Sequence, residues 1–541
     1  MNKFPEQTYQ RLINSYGDEF LRYVLNLPIE GSIMELIEAR TDPSAVALLL
    51  DAMNQAPWSG NGELDVMLYS SSAFAQFRAD FGGSLANYLR LQCGGEVADA
   101  SPSDGPVVHA LSIVARDLWP VLLLKPPTQG PRTFWMSTTP GLFSHPETPQ
   151  AAKAFMADAE LTKLFPDAES IDHVETMGQE ILAIQSNWMM STGQGGSRQL
   201  ISVLDGIVFH ASVLARLDGS ALTQARLMDS IEESVNTFRQ LAAGHEVEVP
   251  AFIGFSGVRM AEGTSLSFGD DQLREMLPVE QELLLNQTDR ITSVYTTQFP
   301  IQLLKIYPQS LPSDDQFLKE WRKLGPRIEE SYRALQRRID RVRLGLLLAS
   351  TSKGELLATG EVSRYIADPT QPGGSSSWET DARAPASYEL TQPLGKEAVR
   401  WHKLVLDKHP ESLNIAMKRL LGAVSQRWDA ADAFIDAVIV WENAFGTQQE
   451  TTFRVTASIA KLLEPGSTDD RLKLQTELKK LYSARSMLVH GSKEPKPEVA
   501  WAQKERAIEI ALQLLRTLYA ERPDLLELTS EERGAQLLLE G

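Results

Sequence analysis

Residues 419–446 (RLLGAVSQRWDAADAFIDAVIVWENAFG), 450–465 (ETTFRVTASIAKLLEP) and 479–492 (KKLYSARSMLVHGS) decide how the C-terminal part of this chain folds. Apolar residues recur there every three or four positions, the spacing that gives a helix one apolar face. Breaks fall at His409-Pro410, Gly446, Pro465-Gly466, Gly491 to Pro497 and Pro523, each a signal that ends a helix. Residues 396–541 therefore predict an all-α bundle of about five or six helices.

Upstream, Ala367 to Pro393 is crowded with Pro, Gly, Ser and Thr, so 351–395 reads as a linker or loop. After Pro326 a basic helix is expected, with Arg327, Arg333, Arg337, Arg338, Arg341 and Arg343 over an apolar stripe of Ile328, Leu335, Ile339 and Val342. Such a pattern is more often a solvated face than a ligand site. Glu246 to Tyr307 alternates with Gly breaks and predicts a small sheet. Ala151 to Ala243 predicts mainly helix, closing on one whose Leu227, Ile231, Val235 and Phe238 share a face and which stops at Gly244. Together 151–350 reads as helices plus a sheet module, with sensing as its expected task.

Six prolines between Pro126 and Pro149 predict a long loop or boundary. The first 150 residues read as mixed α/β of no assignable role: helices from Gln7 to Trp58, short strands at Glu63–Tyr69 and Leu118–Leu124, and a helix over Ala73–Leu91 between them. The fold class that results is multidomain α+β, with a mixed N-terminal region and a helical C-terminal bundle. A length of 541 residues agrees, since it exceeds what one core organises and implies roughly three or four domains.

Composition narrows the function. With 43% hydrophobic and 23% charged residues the chain buries a core and is not mainly disordered. Cys93 is the single cysteine, which rules out intrachain disulfides and a Cys-based zinc finger and fits a reducing cytoplasm. The start MNKFPEQTYQ lacks the apolar stretch of a signal peptide, and runs such as Ile435–Trp441 fall short of the roughly 18 residues of a membrane span. No membrane association is expected.

Most short motifs fail. TGQGGSR (Thr192–Arg198) lacks the Lys-Ser/Thr pair of a P-loop, and GFSG (Gly254–Gly257) is one residue short of a nucleophile elbow. The eight histidines show no metal-ligand spacing. What survives is Arg485 and His490, four residues between them, near a helix end. Arg239 and His245 meet a similar loose spacing, but His245 lies beyond Gly244 and outside its helix.

The succession DAFIDAVIVWENAF, TFRVTASIAKLL, LYSARSMLVHG resembles the HEPN superfamily, and within it the Apea-like HEPN domains of prokaryotic defence proteins. The resemblance covers about Lys396 to Ala520. It implies a metal-independent endoribonuclease without cofactors, active as a homodimer in which two Arg–His pairs face one cleft and cut RNA. By the same resemblance Arg485 stabilises charge on the scissile phosphate, and His490 serves as base toward a 2′-hydroxyl or acid toward the leaving oxygen. Ser486 follows Arg485 where the family usually has a polar residue, and would orient the phosphate or the imidazole. Tyr482 is expected at the cleft edge, with Asp436 and Glu442 as supporting polar ties. A phage or host protein acting as trigger on the N-terminal region is implied as well. The rival reading is a HEPN module that only dimerises or binds a partner.

The net charge of -19 first argues against nucleic acid. From Lys396 onward, however, 21 basic residues face 22 acidic ones, and the other 31 basic and 49 acidic residues precede it. The acidity belongs to the region before the bundle, so it does not oppose RNA chemistry in the bundle.

Overall fold

In a computed structural model of the chain, the N-terminal part is helical. The structure describes residues 4–56, 63–99, 105–125, 139–167, 173–193, 195–284, 288–307, 314–350, 356–371, 375–378, 386–447, 451–491 and 495–540. Helices α1 (Glu6–Tyr16), α2 (Asp18–Val24), α3 (Ile33–Arg40), α4 (Pro43–Asn54) and α5 (Glu63–Ala75) lead to a two-residue hairpin, β1 (Phe77–Arg78) with β2 (Gly83–Ser84). Then come α6 (Leu85–Gln92), α7 (Pro106–Leu118) and α8 (Thr148–Ala157).

This corrects the mixed α/β reading of residues 1–150. Glu63–Tyr69 is the start of α5, whose burial falls on Ser70 and Phe74, four apart as a helix requires. Leu118–Leu124 is the end of α7 and a 3₁₀ turn (Trp119–Leu123), where Pro120 has no N–H to give a sheet ladder. The helix expected over Ala73–Leu91 is broken by the hairpin. Of the loop expected at Pro126–Pro149, residues 126–138 lie outside the described residues, and α8 begins before its end. The stretch Pro106–Leu123 has the length and apolar content of a membrane span, which the sequence reading missed; 72% of it is buried inside the fold.

Next in the chain are β3 (Gln185–Met190), β4 (Gly195–Gln199), α9 (Leu200–Leu214), α10 (Gln224–Ala242), β5 (Glu246–Ser256), β6 (Val258–Arg259), β7 (Ser265–Phe268), β8 (Asp271–Arg274), α11 (Pro278–Leu283) and β9 (Ser293–Tyr307). Helix α12 (Asp314–Ala349), β10 (Gly360–Ile366), β11 (Ser375–Trp378) and β12 (Tyr388–Glu389) follow. Eight strands among the described residues form one antiparallel sheet in the order β11-β10-β5-β9-β3-β4, with β8 also on β9 and β7 on β8. Strand β12 pairs in parallel with β6. The fold is α+β, as expected, with the sheet wider than 246–307.

The sheet extends into two segments read otherwise. Strand β3 lies in the region read as helical, and β10 is an inner strand within 351–395, the expected linker. Both are buried on both faces, so neither shows the alternation that marks a half-exposed strand. Helix α10 keeps the predicted stripe, all four residues buried, and Thr223 caps it by accepting from the Arg226 N–H at 3.3 Å. Helix α12 begins before Pro326 and passes through it, in a half that is largely exposed, where a freed carbonyl is open to water.

The C-terminal region is helical: α13 (Gln392–Lys408), α14 (Asn414–Ser425), α15 (Ala430–Phe445), α16 (Thr451–Leu463), α17 (Thr468–Val489), α18 (Pro497–Ala520) and α19 (Ser530–Leu539). That is seven α-helices among the described residues, more than the five or six expected, and α13 starts ahead of the boundary drawn at residue 396. Helix α12 joins the sheet to this bundle. Its Arg338 pairs with Asp271 of β8, whereas buried Arg343 donates to the Thr359 carbonyl at 2.7 Å and to Ser425 Oγ of α14 at 2.8 Å. Gly345 lets α12 lie against α13, because a Cβ there would stand 2.9 Å from the backbone nitrogen of His402. Arg516 of α18 donates to the Leu348 carbonyl at 2.9 Å at the end of α12. One apolar core runs from Tyr9 to Leu537.

Candidate functional site

Two helices bring the site together. Asp429 starts α15 by accepting from the N–H groups of Ala431 (2.8 Å) and Asp432 (3.0 Å). The helix then buries Phe434, Val438 and Trp441 in the core and leaves Glu442 on its flank. Ser467 caps α17 by accepting from the Asp470 N–H at 3.2 Å, and Asp469 and Asp470 suit the positive end of the helix dipole. Leu474, Leu478, Leu481 and Tyr482 form its buried stripe.

Helix α17 ends where the sequence predicts. The His490 N–H bonds the Ser486 carbonyl at 3.1 Å and the Gly491 N–H bonds that of Leu488 at 2.9 Å. Gly491 takes φ +64°, a left-handed conformation that costs little only without a Cβ.

Glu442 is the hub between the two helices. Tyr482 donates its hydroxyl to one carboxylate oxygen at 2.6 Å, and Arg485 donates Nη2 to the other at 3.1 Å. The side chains of Arg485 and Glu442 are each 22% exposed. Burial first, and the bond to Glu442 second, hold the Tyr482 phenol well above its ordinary pKa, so it stays a donor. Nε of Arg485 is buried and meets no acceptor among the described residues.

The structure thus joins Tyr482, Arg485 and Glu442, with Ser486 and His490 following on the same helix. His490 is exposed on the last turn, and no protein group among the described residues bonds its imidazole. Five residues of helix place it roughly 140° around and about 7.5 Å along from Arg485. Ser486 is half-buried beside Arg485, and its carbonyl serves the helix end. Asp436 does not belong to this group. It is buried on another flank of α15, between Arg419 Nη1 (2.7 Å) and Arg427 Nε (2.6 Å), and ties α14 to α15.

One feature of the site was not anticipated. The phase of the buried stripe continues through Arg485 to Val489, eleven residues and about three turns after Leu478. Yet Val489 is 50% exposed, and Met487 is 47% exposed. Leu488 still packs against the core and Met487 lies on the opposite side of the helix, so at its last turn the buried stripe of α17 is uncovered at Val489. Val499 and Trp501 on α18 are also exposed, and Lys504 Nζ lies 3.6 Å from the centre of the Trp501 ring. The regular recurrence of apolar residues up to Val489 was visible in the sequence, but where the neighbouring helices end was not.

Elsewhere the rejected motifs have structural roles. Thr192 donates to Asp368 at 3.1 Å and Arg198 to the Thr370 carbonyl at 3.1 Å, which fastens the β3–β4 hairpin. Ser256 lies buried in β5 and bonds the Gly360 carbonyl at 3.3 Å. His145 meets buried Asp117 at 3.1 Å. On α12, Arg333 and Arg337 pair with Glu329 and Glu330 above the buried stripe. Among the described residues no group of three or more His, Cys, Asp or Glu side chains is placed to hold a metal ion. No protein-family model, no curated protein and no solved structure matches the chain.

Proposed function

We propose that residues 396–541 are a HEPN-type endoribonuclease domain that cuts RNA without a metal ion, as a homodimer. The observation that carries this reading is the end of α17, where Arg485 continues the buried stripe of the helix and His490 is exposed on the last turn. On one helix the two side chains diverge by roughly 140°, a poor arrangement around a single scissile phosphate. A second copy set against the exposed Val489, on the side of the helix that Arg485 shares, would bring two pairs into one cleft and cover that side chain.

In such a cleft His490 takes the proton of a ribose 2′-hydroxyl. The 2′-oxygen forms a bond to phosphorus, the bond from phosphorus to the 5′-oxygen breaks, and that oxygen leaves with a proton from an imidazolium. Arg485 balances the charge that builds on the phosphoryl oxygens. The products are a 2′,3′-cyclic phosphate and a 5′-hydroxyl. DNA has no 2′-hydroxyl and survives. The test is end-group analysis after incubating RNA and DNA of one sequence with the protein in a chelator. Cyclic phosphate ends with intact DNA support the reading, and 5′-phosphate ends or cut DNA refute it.

The role that fits is defence against phage in the cytoplasm, with the acidic N-terminal region receiving a phage or host protein as trigger. This part rests on the resemblance and on the charge division along the chain. A second reading, a HEPN module that only dimerises or binds a partner, draws support from one observation: Arg485 already has a carboxylate partner.

A further inference from the structure

The contact that favours the second reading has another explanation. Tyr482 and Arg485 stand one turn apart on α17, and a single carboxylate, Glu442 of α15, accepts from both. The guanidinium is poorly served there. One nitrogen reaches Glu442 at 3.1 Å, and Nε is buried without an acceptor among the described residues. Buried donors are nearly always paired in a folded protein, so the contact with Glu442 leaves the guanidinium one donor short of protein acceptors.

We propose that Glu442 is a latch on Arg485, which neutralises the guanidinium and holds it back until a phosphate displaces the carboxylate. The proposal rests on the ribonuclease reading, because it names how that site is regulated. Carboxylate and phosphate are both anions and compete for the same fork of donors. The latch is therefore shut in the free protein and opened by the substrate backbone or by any shift of α15 against α17. On opening, Nε gains an acceptor in the phosphate. Tyr482 keeps Glu442 in place when Arg485 leaves, so the released carboxylate retains a donor. Glu442 restrains Arg485 and does not touch the reacting atoms.

The experiment reads Arg485 itself. Full-length wild type, Glu442→Gln and Tyr482→Phe are treated with phenylglyoxal, and modification of Arg485 is followed by mass spectrometry of its peptide. Circular dichroism and thermal unfolding establish that each variant is folded. The expected result is at least a fivefold faster modification in Glu442→Gln, a smaller rise in Tyr482→Phe, and RNA cleavage by Glu442→Gln equal to or above wild type. Unchanged Arg485 reactivity in folded Glu442→Gln overturns the latch. So does a rise in reactivity accompanied by a fall in cleavage to the level of Arg485→Ala, since Glu442 would then position Arg485 for the reaction. If reactivity rises and no form of the protein cleaves RNA, the latch stands and the ribonuclease reading fails.

Discussion

Arg485 of α17 and Glu442 of α15 form an ion pair at 3.1 Å, just over one turn before α17 ends at Val489. The pair ties the proposed phosphate-binding residue to the core helix of the domain, and one turn beyond it the apolar Val489 is half exposed. Both properties make the site dependent on what packs against α17.

The uncovered turn predicts self-association. Val489→Glu places a charge on the face proposed to meet a second copy, which an apolar interface excludes. Light scattering at micromolar concentration should give a dimer for wild type and a monomer for Val489→Glu, with RNA cleavage lost in the variant. A wild-type monomer, or a dimer unaffected by the substitution, contradicts the composite site.

Asp436 predicts a stability effect. Its carboxylate is buried and shared by Arg419 and Arg427, both partly exposed. In Asp436→Ala the two guanidinium groups can return to water, so the cost is that of the lost charge-assisted bonds, about 1–3 kcal/mol. Urea unfolding should show a lower midpoint and an unfolding free energy reduced by that amount. No shift would mean that the two bonds contribute nothing net.

A third prediction concerns pH. Asp205 of α9 is buried and accepts the Thr139 N–H at 2.5 Å, and desolvation pushes its carboxyl up to about 6. The folded state then binds this proton more tightly than the unfolded chain, so the contribution to stability is full below the ordinary carboxylate range and lost as pH rises through about 6. Asp205→Asn removes the charge and keeps an acceptor. It should stabilise the protein by about 1–3 kcal/mol near pH 8 and by almost nothing near pH 4. Urea titrations at the two pH values decide, and an equal effect at both would refute the account.

The sequence made the helical part of this fold legible because α10 and the bundle helices are amphipathic and end at Gly or Pro. Strands β3 and β10 were not legible, since burial on both faces erases the alternation that marks a strand. Residues 63–66 alternate by chance before the apolar run Met67–Tyr69, and the burial of Phe74 decides for a helix. At the site, Arg485 and His490 could be placed near a helix end. Asp436 and Glu442 could not be told apart, as both are acids on α15 six residues apart. Which one faces α17 is set by how the helices cross, and that is a property of the packed bundle.

The central claim is that Arg485 and His490 cut RNA. It is tested most directly by incubating RNA in EDTA with wild type, Arg485→Ala and His490→Ala, alone and with lysate of phage-infected cells as a source of trigger. The account predicts cleavage by wild type and a loss of at least a hundredfold in each variant, as expected when a charge stabiliser or a general acid–base group is removed. Intact RNA under both conditions, or equal cleavage by wild type and both variants, would contradict it.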